Sequence, residues 1–341
     1  MSRLISPTVT IIVPCYNEAE TIGWLLEALA RQDYGRSRFE VVVVDGMSGD
    51  STREAVRQAA EAFRGLTVRI VDNPARTIPA ALNRGLAAAR ADILIRLDAH
   101  SVPDADYVRR CVETLTATGA ANAGGVWEIE PWGIGWIPRA IARAAAHPLG
   151  AGDARYRIRG LAGPVETVPF GAFRREWVRR VGGFDERLLA NEDYEFNHRL
   201  QRAGGVVWFD PSIRSTYYAR SNLADLWRQY TRYGYWKARM LLHHPRSLRW
   251  RQALPALFVL LTLAGLGAAA WWPPAITLLA IEWGAYAVVL LAAAGVEAIR
   301  RGAVSMIPGL PLAWGTMHLA WGTAFWWSLL TSLMGPRAEP G

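Results

Sequence analysis

The sequence predicts an α/β domain built on a mostly parallel, doubly wound sheet and followed by C-terminal transmembrane helices. Three observations carry that reading. Short β-rich runs alternate with helical patterns, unusual polar residues fall where those runs end, and the apolar surplus collects in three blocks near the C-terminus. The chain has 341 residues, and up to about Leu242 its charged and apolar residues interleave as in a soluble protein. A segment of that size buries a substantial core by itself.

The alternation runs from Val9 to Val13 and Glu18 to Arg31, through Phe39 to Val44 and Ser51 to Arg64, then Thr67 to Val71, Ile78 to Ala89, and Ile93 to Leu97. Strand–helix repeats of this length build a parallel sheet with helical crossovers. Ligands of such sheets bind at the carboxyl ends of the strands, where the loops converge. Beyond about residue 120 the pattern loosens into a Gly/Trp/Pro-rich stretch from Gly124 to Pro138 and a strand expected around Val165 to Phe173. A helix is expected from about Glu192, with Phe196, Leu200 and Ala203 at helical spacing and Gly204-Gly205 as its stop.

The apolar blocks cover 254–272, 276–296 and about 304–334, with the helix of the third placed at 310–333. Crossing a bilayer takes roughly 20 apolar residues, so each is long enough. Trp271, Trp272, Trp326 and Trp327 lie near block ends, as interfacial aromatics do. Lys237, Arg239, Arg246, Arg249 and Arg251 precede the first block, whose juxtamembrane segment is 243–253, and Arg300-Arg301 follows the second. Positive loops face the cytoplasm, which leaves the C-terminal tail outside. Pro308 and Pro311 also allow the third block a kinked, re-entrant or interfacial course. Glu282 falls at mid-membrane, where an ionisable group is either functional or part of helix packing.

The formal charge of +8 is compatible with nucleic acid, anionic lipid or a phosphorylated substrate, but its clustering before the first apolar block favours the membrane. No basic, Gly-rich or Arg-rich tail points to nucleic acid. Cys15 and Cys111 have no metal-type spacing and suit a reducing compartment. Met1 to Pro7 contains no long apolar run, so a cleaved secretory signal is not expected and the first domain is expected to stay cytoplasmic.

The residues able to carry chemistry stand at the expected strand ends. The first strand leads through Pro14, which interrupts a ladder and turns the backbone, to Tyr16, Asn17 and Glu18. The second ends at Asp45-Gly46, and a carboxylate there can accept hydrogen bonds from a base or ribose, whereas Asp50 reads as a helix cap. The fourth ends Arg96-Leu97-Asp98-Ala99-His100, where Asp98 and His100 can jointly hold a divalent cation that bridges a diphosphate. Glu192 and Asp193 open a helix after Gly182-Gly183-Phe184-Asp185. Acidic residues there either favour the helix dipole or, as a pair in a cleft, serve as general base and neighbour. Gln229, Arg232 and Tyr233 share one face of a helix just before the membrane, either as a diphosphate clamp or as a snorkelling surface.

Five segments occur in one order, V-P-C-Y-N-E, V-V-D-G-x-S-x-D-x-T, L-D-A-H, G-G-F-D-E…N-E-D and Q-Y-x-R-Y. Together they resemble the inverting family 2 glycosyltransferases, and in particular exopolysaccharide enzymes of the succinoglycan type. The resemblance implies a GT-A (Rossmann-like) fold in 1–242, with a nucleotide-binding half at about 8–120 and an acceptor half at about 121–242. It implies a nucleoside-diphosphate sugar donor, such as UDP-glucose or another UDP-hexose, and Mn²⁺ or Mg²⁺. Pro14, Tyr16, Glu18, Asp45 and Asp98 would bind the nucleotide sugar, Asp98 and His100 the metal. Asp193 would be the catalytic base, supported by Glu192, Arg232 and Gln229, and Tyr233 would join the clamp.

Where the family commonly has a second Asp this chain has His100, a better ligand for Mn²⁺ than for Mg²⁺. Tyr233 replaces the Trp of processive synthases, against processive extension. The expected acceptor is a polyprenyl-diphosphate-linked saccharide at the inner membrane, with other polysaccharide-assembly proteins as further partners. A polyprenyl-phosphate sugar synthase and a catalytically silent nucleotide-binding scaffold are the rival readings.

Overall fold

A computed structural model describes residues 8–334. Met1 to Pro7, on which the expectation of no secretory signal rests, and the C-terminal tail after Met334 lie outside them. The strands are β1 (Val9–Cys15), β2 (Phe39–Asp45), β3 (Thr67–Asp72), β4 (Ile93–Arg96), β5 (Ser101–Pro103), β6 (Asn122–Pro131), β7 (Gly163–Pro164), β8 (Ala172–Arg174) and β9 (Val207–Ala219). The helices are α1 (Ile22–Ala30), α2 (Thr52–Ala62), α3 (Ile78–Ala88), α4 (Tyr107–Thr118), α5 (Trp136–Ala145), α6 (Pro148–Ala151), α7 (Arg155–Ile158), α8 (Arg175–Val181), α9 (Glu192–Arg202), α10 (Leu223–His243), α11 (Trp250–Ala268), α12 (Pro274–Arg301) and α13 (Met306–Leu333).

The chain divides into two compact units, 8–128 with 155–217 and 129–154 with 218–334. The first holds most of a nine-stranded sheet in the order β3-β2-β1-β4-β8-β6-β9-β5, with β7 on β9. β3, β2, β1 and β4 are parallel, as their Val- and Ile-rich runs and intervening helices require, because such strands are covered on both faces. Beyond β4 the pairing is antiparallel, with β4 on β8 and β8 on β6.

Two expectations change in this half. The Gly/Trp/Pro-rich stretch is largely one strand, β6, in which Gly124 and Gly125 serve close packing. A Cβ at Gly125 would fall 1.8 Å from the Ile213 carbonyl oxygen, and one at Gly124 would fall 2.7 Å from the Val168 Cβ. Conversely, the strand expected over Val165 to Phe173 shrinks to β8, because Phe170 and Gly171 both take positive φ (59° and 54°), which no extended ladder tolerates.

In the second unit, α10 to α13 pack together through close crossings. A Cβ on Gly234 of α10 would lie 2.2 Å from the Trp321 carbonyl oxygen of α13, and one on Gly322 would lie 2.5 Å from that of Pro255 in α11. α11 and α12 are long and apolar enough to cross a membrane. Glu282 of α12 accepts a hydrogen bond from the Thr262 hydroxyl of α11 at 3.2 Å, tying the two helices together. α13 has one face buried through Leu310, Ala313, Trp314, Met317 and Trp321, while Leu312, Trp327 and Leu330 point outward. It carries no charged residue, and the Thr316, Thr323 and Thr331 hydroxyls bond back to carbonyls of their own helix. α13, of lower mean hydropathy than these two, does not join them as a candidate span.

Two residues of the basic stretch are engaged within the protein. Lys237 is 1% exposed, its Nζ donating to the Ser247 carbonyl at 2.9 Å, and Arg251 is paired with Asp153.

Gly125→Ala should lower stability by about 3 kcal/mol, because the added methyl meets backbone that cannot yield. Chemical denaturation of the detergent-solubilised chain measures this, and an unchanged midpoint would contradict the close β6 packing.

Candidate active site

The carboxyl ends of β1, β2 and β3 lie in register, Cys15 opposite Asp45 and Asp45 opposite Asp72. Two carboxylates side by side need a counter-charge, and Arg53 supplies it, donating from Nε to Asp45 Oδ2 at 2.6 Å while its other arm pairs with Asp72. Ser48 adds a hydroxyl bond to Asp45 Oδ1 at 2.5 Å. Burial by itself would raise the Asp45 carboxyl, yet the Ser48 and Arg53 hydrogen bonds outweigh it and hold the group below the ordinary carboxylate range.

The β1 and β2 loops are stitched together. Asn17 Oδ1 accepts from the Gly49 N–H at 2.9 Å and the Asn17 N–H donates to Ser48 Oγ at 2.9 Å. The Glu18 N–H donates to Thr52 Oγ1 at 2.8 Å, and Asp50, which the sequence reads as a cap, accepts from the Thr52 N–H at 3.0 Å and the Ala19 N–H at 3.2 Å. Pro14 stays within the ladder on the β2 side, opposite Val44, while the β4 pairing has already ended at Ile12 opposite Arg96. A residue without an N–H is tolerated there because the sheet is open on that side. Tyr16 is 47% exposed and lies over Gly46, where a Cβ would come 3.1 Å from the ring. The pair forms an aromatic platform at the sheet edge.

Asp98 and His100 follow β4. Asp98 Oδ1 accepts from Arg96 Nε at 3.3 Å and Nη2 at 3.2 Å. His100 Nδ1 lies 3.1 Å from Glu18 Oε1, and Glu18 Oε2 accepts from the Thr21 hydroxyl at 2.6 Å. A carboxylate behind Nδ1 is the usual support of a coordinating histidine, with Nε2 as the nitrogen that would take a metal. Among the described residues no group of three or more His, Cys, Asp and Glu side chains gathers as a ligand set. Asp98 and His100 are the residues that would hold a divalent cation, a carboxylate and an imidazole being donors that Mn²⁺ accepts.

Arg96 connects this edge to α9. Its Nη1 lies 3.0 Å from Glu192 Oε1, with the two side chains 9% and 6% exposed. Burial opposes the Arg96 charge, but the carboxylates of Asp98, Glu192 and Asp193 outweigh it and raise the guanidinium above its usual range. Burial lifts Glu192 above the usual carboxylate range, with Arg96 pulling it down and Asp193 and Asp98 adding to the rise. Asp193 is half-buried, and its Oδ1 accepts from the Tyr194 N–H at 2.7 Å. The residue before α9, Asn191, sits at φ 64°, a left-handed turn that starts the helix at Glu192. One turn on, Glu195 holds Arg199, which donates to the carbonyls of Val181 (2.5 Å) and Gly183 (2.6 Å) and so fixes the Gly182-Gly183 loop to the helix.

The predicted residues thus fall in two groups, Glu18 with His100, and Asp98 through Arg96 with Glu192, the chain neighbour of Asp193. Asp45 belongs to the neighbouring β2 end, already engaged by Arg53. Gln229, Arg232 and Tyr233 belong to α10 in the second unit, where Gln229 Nε2 donates to Tyr233 Oη at 3.0 Å. Sequence reasoning missed two features. Arg96 stands inside the quoted R-L-D-A-H run, its strand position masking a polar role. Trp127 stacks on Tyr217 at 4.2 Å and 6°, with the Tyr217 ring centroid 6.5 Å from that of His100. Trp127 falls in the stretch whose composition hid a strand.

A parallel half-sheet with stitched loops at its carboxyl edge, a D-x-H pair after β4 and paired acids opening a helix beyond it stand in a fold that matches GT-A glycosyltransferases. The Glycosyl transferase family 2 description matches residues 10–182. The succinoglycan biosynthesis protein ExoA of Rhizobium meliloti (strain 1021) is 34% identical over 330 residues, 96% of this chain and 97% of ExoA. The chain belongs to glycosyl transferase family 2. A dolichyl N-acetyl-α-D-glucosaminyl phosphate 3-β-D-2,3-diacetamido-2,3-dideoxy-β-D-glucuronosyltransferase of Methanococcus voltae is 27% identical, covering 75% of this chain and 80% of that protein. Among solved structures, the mannosyltransferase PcManGT from Pyrobaculum calidifontis, in complex with GDP-Man and Mn²⁺, matches with a TM-score of 0.62 and 25% identity, covering 92% of this chain and 87% of that one.

A carboxylate depressed by its partners stabilises the fold above its unfolded value, about 3.9, and loses that contribution as pH falls through the folded value. Asp45→Asn should therefore lower the unfolding midpoint at neutral pH and converge on wild type as the pH falls through the depressed folded value. Thermal unfolding across this range checks the sign; a gap that widened on acidification would contradict it.

Proposed function

We propose that the protein transfers a hexose with inversion from a nucleoside-diphosphate sugar, UDP-glucose or a related UDP-hexose, to a lipid-linked saccharide at the cytoplasmic face of the inner membrane. The observation that carries this is the Arg96-linked arrangement of Asp98, the donor-side acid, with Glu192 and Asp193, the acceptor-side pair. Asp193 takes the proton from the acceptor hydroxyl as that oxygen attacks the anomeric carbon. Attack comes from the side opposite the diphosphate, so an α-linked donor gives a β-linkage. Asp98 and His100 are the residues that hold the divalent cation, with Glu18 orienting the imidazole. When bound, the cation neutralises charge that develops on the leaving diphosphate. Tyr16 offers its exposed ring to the base, and Asp45, fixed by Arg53 and Ser48, shapes the pocket wall beside it.

The lipid-linked acceptor is supported by the dolichyl phosphate glycan named for the Methanococcus relative and by the succinoglycan role named for ExoA. A diphosphate clamp of Gln229, Arg232 and Tyr233 rests on the Q-Y-x-R-Y motif. The cytoplasmic orientation rests on Arg300-Arg301 and the basic residues that precede α11. We assign α13 to the membrane with α11 and α12, because its outward face is uncharged and its threonine hydroxyls are satisfied within the helix.

Nucleoside diphosphate release from a panel of UDP- and GDP-sugars, with membrane lipid extract and Mn²⁺, tests this function. Asp193→Asn should cut turnover by about 10³-fold while donor affinity stays within about threefold, since a general base acts in the transition state. Loss of donor binding in that variant would place Asp193 in the donor pocket instead. Silence of the wild type with every donor would favour a nucleotide-binding scaffold.

A further inference from the structure

Arg96 stands at the end of β4, a strand paired with β1 on one side and β8 on the other, and its backbone N–H donates to the Gly171 carbonyl at 3.0 Å. Its side chain therefore starts from fixed backbone. One arm of the guanidinium reaches Asp98 at 3.2 Å and another reaches Glu192 at 3.0 Å. Both hydrogen bonds to Asp98 fall on Oδ1, so Arg96 does not compete for Oδ2. On the far side, Glu192 is the first residue of α9 and follows Asn191 at φ 64°. Asparagine is among the few non-glycine residues that take this conformation readily, so the turn into the helix is favoured locally. Arg199, braced by Glu195, fixes the next turn of the helix to the Val181 and Gly183 carbonyls. The start of α9 is thus anchored to the sheet by Arg96 and to the preceding loop by Arg199.

We propose that Arg96 is a positioning residue that sets the separation between the donor-side acid Asp98 and the acceptor-side pair Glu192–Asp193, aligning leaving group and base for in-line attack. The proposal rests on the functional reading above for what Asp98 and Asp193 do. A planar guanidinium suits the task because its fork donates two hydrogen bonds to Asp98 while its charge holds Glu192 at 3.0 Å, Nη1 making no aligned hydrogen bond there. A lysine ammonium brings the same charge without the fixed fork. Misplacing a reacting group by about 1 Å costs on the order of 10²-fold in rate, whereas ground-state binding of the nucleotide depends little on where the base stands.

The test uses the full chain in detergent and reads three quantities: thermal midpoint, affinity for UDP or GDP with Mn²⁺ by calorimetry, and kcat with KM for the donor. Arg96→Lys should keep nucleotide affinity and donor KM within about threefold while kcat falls by about 10²-fold. Arg96→Met leaves Glu192 buried without its counter-charge and should lower the midpoint by about 10 °C. Adding Glu192→Gln should bring the midpoint back to within a few degrees. The double variant should still turn over at least about 30-fold more slowly than Glu192→Gln alone.

A merely neutralising Arg96 would behave otherwise. Arg96→Lys with kcat within about threefold of wild type, or a double variant matching Glu192→Gln at a restored midpoint, would overturn the positioning role. A wild type that releases no nucleoside diphosphate from any donor would instead overturn the functional reading, and the proposal would fall with it.

Discussion

Where Arg96 meets Glu192 two ions leave water together, with side chains 9% and 6% exposed, and such a pair holds only if its geometry and surroundings offset the desolvation. The offset here is the second acid, Asp98, which shares the same guanidinium at 3.2 Å. The same rule governs the opposite end of the sheet. Glu40, 1% exposed, accepts from Thr10 at 2.9 Å, from the Arg90 N–H at 2.9 Å and from Arg69 at 3.0 Å. Glu40 is fully engaged by groups of the chain itself, so that end of the sheet is closed. At the carboxyl end Asp98 follows the strand on a loop and Asp193 stands half-buried at a helix start.

This division follows from strand register. Cys15, Asp45 and Asp72 stand level because three parallel strands end together, and the carboxylates so aligned require Arg53 between them. The loops leaving these ends bond to one another, Asn17 to Ser48 and Gly49, and Glu18 to Thr52, so neither is free to drift. Glu18 can then hold His100 at 3.1 Å from a backbone position set by two strands. A preorganised edge of this kind lets electrostatic stabilisation act without rearrangement during the reaction.

The parallel half was legible in the sequence because its signals are local: β1 to β4 and α1 to α3 lie within a few residues of their expected positions. So were the loops that carry Glu18, Asp45, Asp98 and His100, since strand ends fix where polar residues emerge. The antiparallel half was not. β6 depends on glycines whose purpose is contact with Ile213 and Val168, far along the chain, and the expected strand over Val165 to Phe173 fails on the positive φ of Phe170 and Gly171. Arg96 escaped because a strand position and a polar function conflict in sequence patterns; only the fold shows Glu192 facing it. Lys237 and Arg251 looked like headgroup contacts because composition cannot show that one bonds to Ser247 and the other to Asp153. The three apolar blocks did become three helices, of which α11 and α12 are long and apolar enough to cross a membrane, while α13 devotes one face to packing.

In the proposed function, Asp98 beside the donor and Asp193 beside the acceptor, linked through Arg96 and Glu192, would serve a single displacement on the face opposite the leaving group. Membership of glycosyl transferase family 2 and the likeness to ExoA over nearly the whole chain set this chemistry among sugar transfers. The most direct test of the account is the anomeric configuration of the product, read by NMR from the one-bond C–H coupling at the new linkage. Transfer from an α-linked nucleotide sugar should give a β-linkage throughout. An α-linked product would contradict the single in-line displacement on which the roles of Asp98, Arg96 and Asp193 depend.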